Sequence, residues 1–318
     1  MQRLTSPAAA GVTAILLWCS TGVCFAAGGR AMGPMAFTTA ICLVGFAAGC
    51  AMQIAQGRPL AELFRLPARV WAAGFLGISV YTVLLVLAVG IAPDRDVAQV
   101  ALANYLWPVF IVALERGLPG ARASASVHGR RALAGALLGF AGVALARGAD
   151  VLARPPSSLL PHAMAAGGAL LWALYSVALR RWRIPAETNG STAQWLLCSA
   201  LAATVGAMRG EWESVRLTPQ AAAWALYCGI GPVGVGYACW EIGAKRGPAH
   251  LLATLAFFIP VGSALLMGLA FREALGPTLL PGAALIAAGA WLAGGQGRRQ
   301  EKEETHVTQH DEHAPAEG

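Results

Sequence analysis

The richest grouping of polar and aromatic side chains in this sequence is Asn104-Tyr105-Leu106-Trp107-Pro108. An amide and two large aromatics supply donors, an acceptor and a stacking surface, which suits holding an organic molecule. Pro108 has no backbone donor and frees a carbonyl one turn earlier, so it interrupts any helix that carries it. Trp18 and Trp172 stand in matching runs, Leu16-Leu17-Trp18 and Leu170-Leu171-Trp172, and Tyr175 shares a helical face with Trp172 three residues on. Tyr81 and the pair Tyr237 and Trp240, also three apart, extend the aromatic set. Core packing is the alternative role for each, and an interfacial belt for Tyr105 and Trp107. The position of that last pair, about midway between Asp96 and Glu115, weighs against the belt.

Glu241 is the one acid expected inside a membrane segment. It reads either as an i,i+4 partner of Lys245 near the interface, or as a contact for a substrate amine or a proton site. No other Asp, Glu, Lys, Arg or His is expected at membrane depth, and His250 reads as interfacial. That scarcity favours a facilitator, or coupling through Glu241 or backbone oxygens.

These residues must be positioned by helices in a bilayer. Of the 318 residues, 57% are hydrophobic and only 12% are charged, about half the roughly 25% of a soluble protein. The formal charge of +7 is spread between apolar runs rather than gathered in a patch, which excludes a nucleic-acid partner. A bilayer core needs roughly 17–25 apolar residues per helix. Uncharged runs mark ten such spans, at about 8–28, 33–55, 70–92, 97–114, 132–147, 160–179, 188–208, 218–240, 248–271 and 276–296. The fifth, between Arg131 and Arg147, is the shortest. With ten spans, sixteen of the 23 Lys and Arg fall on the side of the termini and seven on the other, so both termini are expected in the cytoplasm. Arg3, the apolar run and Ala26-Ala27-Gly28 also fit a cleaved signal peptide; the length of the run and its later counterpart favour a retained span. All seven cysteines lie in spans as packing residues, without disulfide or metal spacing.

The chain also repeats itself. Trp18 and Trp172 are offset by 154 residues, Gly90 and Gly243 by 153, Ala101 and Pro108 from Ala253 and Pro260 by 152, and the Gly135/Gly142 and Gly282/Gly289 sets by 147. Each half holds five spans, an odd number, so the halves 8–148 and 160–297 enter the membrane from opposite faces. Inverted repeats are a recurring construction of secondary transporters, with the substrate site near the midplane. Pro108 and Pro260 break matching helices there, or else kink them for packing. The run Gly229, Gly231, Pro232, Gly234 and Gly236 reads as a hinge or as a close-packing face, and the glycines of spans five and ten as packing faces.

Residues 298–318, with His306, His310 and His313, form a charged tail expected to be disordered rather than a metal site. No GxxxxGK[ST], HExxH or GxSxG run occurs, nor paired intramembrane acids, so neither an ATP-driven pump nor a membrane enzyme is supported.

Ten spans in two inverted halves, over about residues 8–297, resemble the drug/metabolite transporter superfamily, EamA type. Within it, Leu17-Trp18-Cys19-Ser20-Thr21, Asn104-Tyr105-Leu106-Trp107-Pro108, Leu171-Trp172-Ala173-Leu174-Tyr175 and Tyr237-Ala238-Cys239-Trp240 look closest to bacterial aromatic amino acid exporters of the YddG type. The Asn-Tyr-Leu-Trp-Pro run is the most specific of these. The resemblance implies an inner-membrane exporter of aromatic and other neutral amino acids, working by alternating access through a central cavity, with no cofactor or metal. Trp18, Tyr81, Tyr105, Trp107, Trp172, Tyr175, Tyr237, Trp240 and Glu241 would then meet the substrate, Asn104 would hydrogen-bond it, and Pro108, Pro260, Gly231 and Pro232 would shape the helix breaks. These exporters carry a neutral amide where this chain has Glu241, which implies a shift of preference, for example towards cationic molecules. The alternative is export of another small metabolite or a lipophilic cationic drug. Oligomeric state is left open.

Overall fold

The structure is a computed structural model that describes residues 6–117, 127–148, 151, 153, 155–185, 188–272 and 275–294. The charged tail 298–318 lies outside the described residues. In chain order the helical stretches are α1 (Pro7–Met32), α2 (Pro34–Ala55), α3 (Ala68–Ile91), α4 (Asp94–Glu115), α5 (Val127–Ala146), α6 (Leu159–Arg181), α7 (Gly190–Met208), α8 (Pro219–Arg246), α9 (Ala249–Phe271) and α10 (Leu279–Gly294). Among the described residues there is no strand.

Seven of these stretches, α1–α4, α6, α8 and α9, are long and apolar enough to cross a membrane. Three of the expected spans fall short by length or composition. The apolar part of α10 is shorter, Leu279–Ala293, and α5 starts with Arg130 and Arg131 close to its beginning. In α7 the run is diluted by Ser191, Thr192, Gln194 and Ser199. Those four side chains are buried against protein, so they do not have to face lipid.

Helix starts follow local chemistry. Ser6 and Thr218 each accept a hydrogen bond from the third residue on, with proline at the first helical position of α1 and α8. Gly33, at φ +84°, turns the chain between α1 and α2, a conformation open to glycine, and Pro34 then starts α2.

Packing brings distant parts of the chain together. α1 lies on α8 and α3 on α6, α2 runs along α7, and α5 crosses α10. At the last crossing a Cβ added at Gly135 would lie 2.5 Å from the Gly289 carbonyl, and one at Gly142 would lie 2.7 Å from the Gly282 carbonyl. Small residues allow this approach where lipid supplies no hydrophobic driving force between helices. The glycines of α8 behave likewise: a Cβ at Gly229 would lie 2.5 Å from Val44 Cβ, and one at Gly234 3.1 Å from Ala48 Cβ. This makes that run a close-packing face on α2.

Gly289→Leu is predicted to lower the thermal midpoint of the detergent-solubilised protein by the equivalent of about 1–3 kcal/mol. Gly167→Ala, where nothing lies within 4 Å of the added atom, should leave the midpoint no lower than that of the unaltered protein. An unchanged midpoint in Gly289→Leu would contradict the crossing.

Candidate functional site

Five helical stretches are irregular, and those of α1, α4, α8 and α9 border or adjoin one cavity. α1 breaks between Trp18 and Thr21, where Ser20 donates to the Leu17 carbonyl at 2.7 Å. α4 breaks at Tyr105-Leu106 and α9 at Ala256-Phe257, each within one turn before a proline, Pro108 and Pro260. The loss of the proline donor is the physical reason. In α1, α3 and α8 the helix widens to π-type turns over Phe25–Gly29, Phe75–Val80 and Gly229–Gly236, the last around Pro232.

The cavity encloses about 290 Å³, close to the lower end of the roughly 300–1,000 Å³ common for small-molecule sites. Trp18, Tyr81, Asn104, Tyr105, Trp107, Trp172, Pro232 and Tyr237 line it, all of them singled out from the sequence. Trp172 is the hub of the aromatic wall. Tyr81 stacks on it at 5.7 Å between centroids and 27°, while Tyr237 at 5.2 Å and Trp107 at 6.3 Å meet it edge-on. Trp18 is held by its indole N–H, which donates to the Pro232 carbonyl at 3.0 Å. That bond gives the carbonyl a donor within the irregular turn of α8 and fixes the ring at the cavity edge.

The remaining candidates stand behind the lining. Trp240 supports the wall, 5.3 Å from both Trp18 and Trp107, with its N–H on the Ser176 hydroxyl at 3.3 Å. Pro108, Pro260 and Gly231 sit at the helix irregularities without lining the cavity. Tyr175, whose ring lies 5.7 Å from that of Trp172, links the wall to a polar cluster around Glu241. Tyr175 donates to Glu241 Oε1 at 3.0 Å, and the other carboxylate oxygen accepts from Lys245 Nζ at 2.8 Å and from the Gly190 N–H at 3.1 Å. Lys245 also donates to the Thr188 carbonyl at 2.7 Å. Glu241 thus joins the end of α8 to the start of α7, with both oxygens engaged, and the pair with Lys245 is buried on both sides. Nearby, Glu115 of α4 pairs with Arg180 of α6 at 3.6 Å and with His250 of α9 at 3.4 Å, tying further helix ends together.

The structure adds residues to the site and corrects one reading. Arg147, counted from the sequence as a loop residue beyond the fifth span, lines the cavity at the end of α5, so an ionisable group does face the interior. It was missed because a basic residue at the end of a short apolar run reads as a boundary. Trp195 also lines the cavity, in edge-on contact with Tyr237 at 4.5 Å, together with Thr82 and Phe25. A tryptophan in the polar first half of α7 was the available signal for Trp195.

Comparison with known proteins agrees with this architecture. Residues 159–295 match the EamA-like transporter family. A protein of Ancylobacter novellus named as an aromatic amino acid exporter, YddG, is 35% identical over 89% of this chain and 95% of its own length. Proteins of the same name from Salmonella typhimurium and Escherichia coli are each 26% identical, over 89% and 90% of this chain and 96% and 97% of theirs. A solved crystal structure superimposes with a TM-score of 0.78 at 34% identity, covering 91% of this chain and 98% of that one.

Lys245→Met should cost about 3–5 kcal/mol, because it leaves the Glu241 carboxylate buried without its counter-ion. The double change with Glu241→Gln should recover most of that loss in a thermal unfolding assay. Equal stability of Lys245→Met and the unaltered protein would contradict the buried pair.

Proposed function

The chain belongs to the EamA-like transporter family, and from that premise we propose that it exports aromatic amino acids, and other neutral ones, across a bacterial inner membrane by alternating access. It is a multi-pass membrane transporter and not an enzyme. The observation that carries the substrate reading is the cavity itself. Its wall is built of Trp18, Tyr81, Trp107, Trp172 and Tyr237, which offer faces and edges at the 4.5–7 Å spacings that aromatic rings prefer, so an incoming ring completes an existing arrangement. Tyr105 and Asn104 complete that wall on α4, and Asn104 supplies hydrogen bonds to the polar part of the substrate. The names of the relatives support the same substrate class.

In this reading the ten helical stretches all span the bilayer, as two inverted halves, 8–148 and 160–297, with both termini and the tail 298–318 in the cytoplasm. The pattern of contacts supports the two-fold arrangement. Gly135 meets Gly289 and Gly142 meets Gly282, so each glycine faces the repeat mate of the other, as across a two-fold axis. The pairs α1 with α8 and α3 with α6 exchange in the same way. Pro108 and Pro260 set the paired helix breaks, and Gly231 and Pro232 set the irregular turn of α8. Ionic clusters around Glu241 and Glu115 tie helix ends together on one side, while the cavity reaches Arg147 at the other, which supports a one-sided opening of the kind alternating access requires. The Glu241 carboxylate is neutralised by Lys245 outside the lining, so it gives the cavity no preference for cations.

In proteoliposomes the purified protein should exchange radiolabelled tryptophan or phenylalanine against unlabelled amino acid. Trp107→Ala should reduce the rate at least tenfold at equal membrane insertion, since stacking contacts contribute about 0.5–1.5 kcal/mol each and Trp107 also supports Trp172. Absence of exchange for every amino acid tried would overturn the reading, and full activity in Trp107→Ala would return that residue to packing.

A further inference from the structure

The aromatic wall accounts for the apolar part of a substrate and leaves one feature of the cavity unused. Arg147 is the one Lys, Arg, Asp or Glu among the described residues of the lining, and none of those residues supplies a carboxylate to match it. Its guanidinium carbon stands 5.8 Å from the Tyr105 ring centroid, and its Nε is buried without a hydrogen-bond partner among the described residues. A ring face stabilises a cation only in part, and a buried donor on a charged group is costly to leave unmet. The guanidinium fork matches a planar carboxylate with two parallel hydrogen bonds better than any neutral group. Two polar oxygens share the lining: Asn104 Oδ1 is buried without a hydrogen-bond partner among the described residues, and Thr82 Oγ1 is buried beside the Tyr237 hydroxyl. The described lining thus combines an aromatic wall, one cation and the buried polar oxygens of Asn104 and Thr82.

We propose that Arg147 is the carboxylate receptor of this cavity. Molecules that join an aromatic body to a free carboxylate are selected there, with Asn104 Oδ1 and Thr82 Oγ1 accepting from the ammonium group of an α-amino acid. The Arg147 cation rejects cationic amphiphiles that the aromatic wall alone would admit. This proposal rests on the export reading above for its site, and goes beyond it in stating which atom sorts substrates.

The test compares tryptophan with tryptophanamide and tryptamine, which keep the indole and the amine but lack the carboxylate. Two readouts on the purified full chain are used: competition against labelled tryptophan counterflow, and thermal stabilisation in detergent. Tryptophan should be more potent than either analogue by roughly tenfold to hundredfold, the range of a hydrogen-bonded charge. R147Q should erase that difference and R147K should keep part of it. Equal potency of tryptophan and tryptophanamide on the unaltered protein overturns the proposal while leaving amino acid export intact. A preference of full size surviving in R147Q also overturns it. If no amino acid is exchanged but tryptophan still stabilises the protein above tryptophanamide, the export reading falls and Arg147 stands as the receptor. The comparison on the unaltered protein decides the matter even where R147Q fails to fold.

Discussion

A backbone carbonyl that loses its donor inside a bilayer must find another partner or face a cavity, because lipid offers it nothing. The rest of this structure depends on that constraint. Trp18–Thr21, Tyr105-Leu106, Ala256-Phe257 and the π-type turns of α3 and α8 are irregular backbone at the depth of apolar helices. The α1, α4 and α8 irregularities and the one in α9 next to Ile259 border one cavity, and the Pro232 carbonyl is answered directly by the Trp18 indole. Broken helices therefore create the binding space, and a bulky aromatic repairs the damage that the break causes.

Polar side chains are distributed by the same economy of exposure. Glu241, Lys245, Tyr175 and the N-terminus of α7 satisfy one another within a buried cluster that joins two helix ends. Replacing Glu241 or Lys245 alone leaves the other charge buried without its partner, which is why such a cluster binds helices firmly in one arrangement. Arg147 is the contrasting case, a cation facing the cavity beside Tyr105. One end of the bundle thus holds its charges in clusters that join helix ends, while at the other Arg147 faces the cavity.

Much of this was legible in the sequence, for identifiable reasons. Scarce charges outline apolar helices, and the Asn104–Pro108 run combines a helix breaker with recognition chemistry, so the aromatic lining could be named almost residue by residue. Proline chemistry located the break in α4 to within one turn. What could not be read is which way a side chain is drawn by its neighbours. Tyr175 keeps ring contact with Trp172 but sends its hydroxyl to Glu241 behind the cavity, and Trp240 backs the wall instead of lining it. Arg147 was hidden because charge at a helix end marks a membrane boundary and an inward-facing site equally well. In α7, burial of Ser191, Thr192, Gln194 and Ser199 lets a helix carry polar groups that hydropathy counts against it.

The central claim is that substrate occupies the cavity walled by Trp18, Tyr81 and Trp172. The most direct measurement is anomalous diffraction from crystals grown with bromotryptophan. The account predicts a bromine peak inside that cavity, with the indole against Trp172 and the carboxylate at Arg147. A fully occupied bromine site elsewhere, with the cavity unchanged, would contradict it.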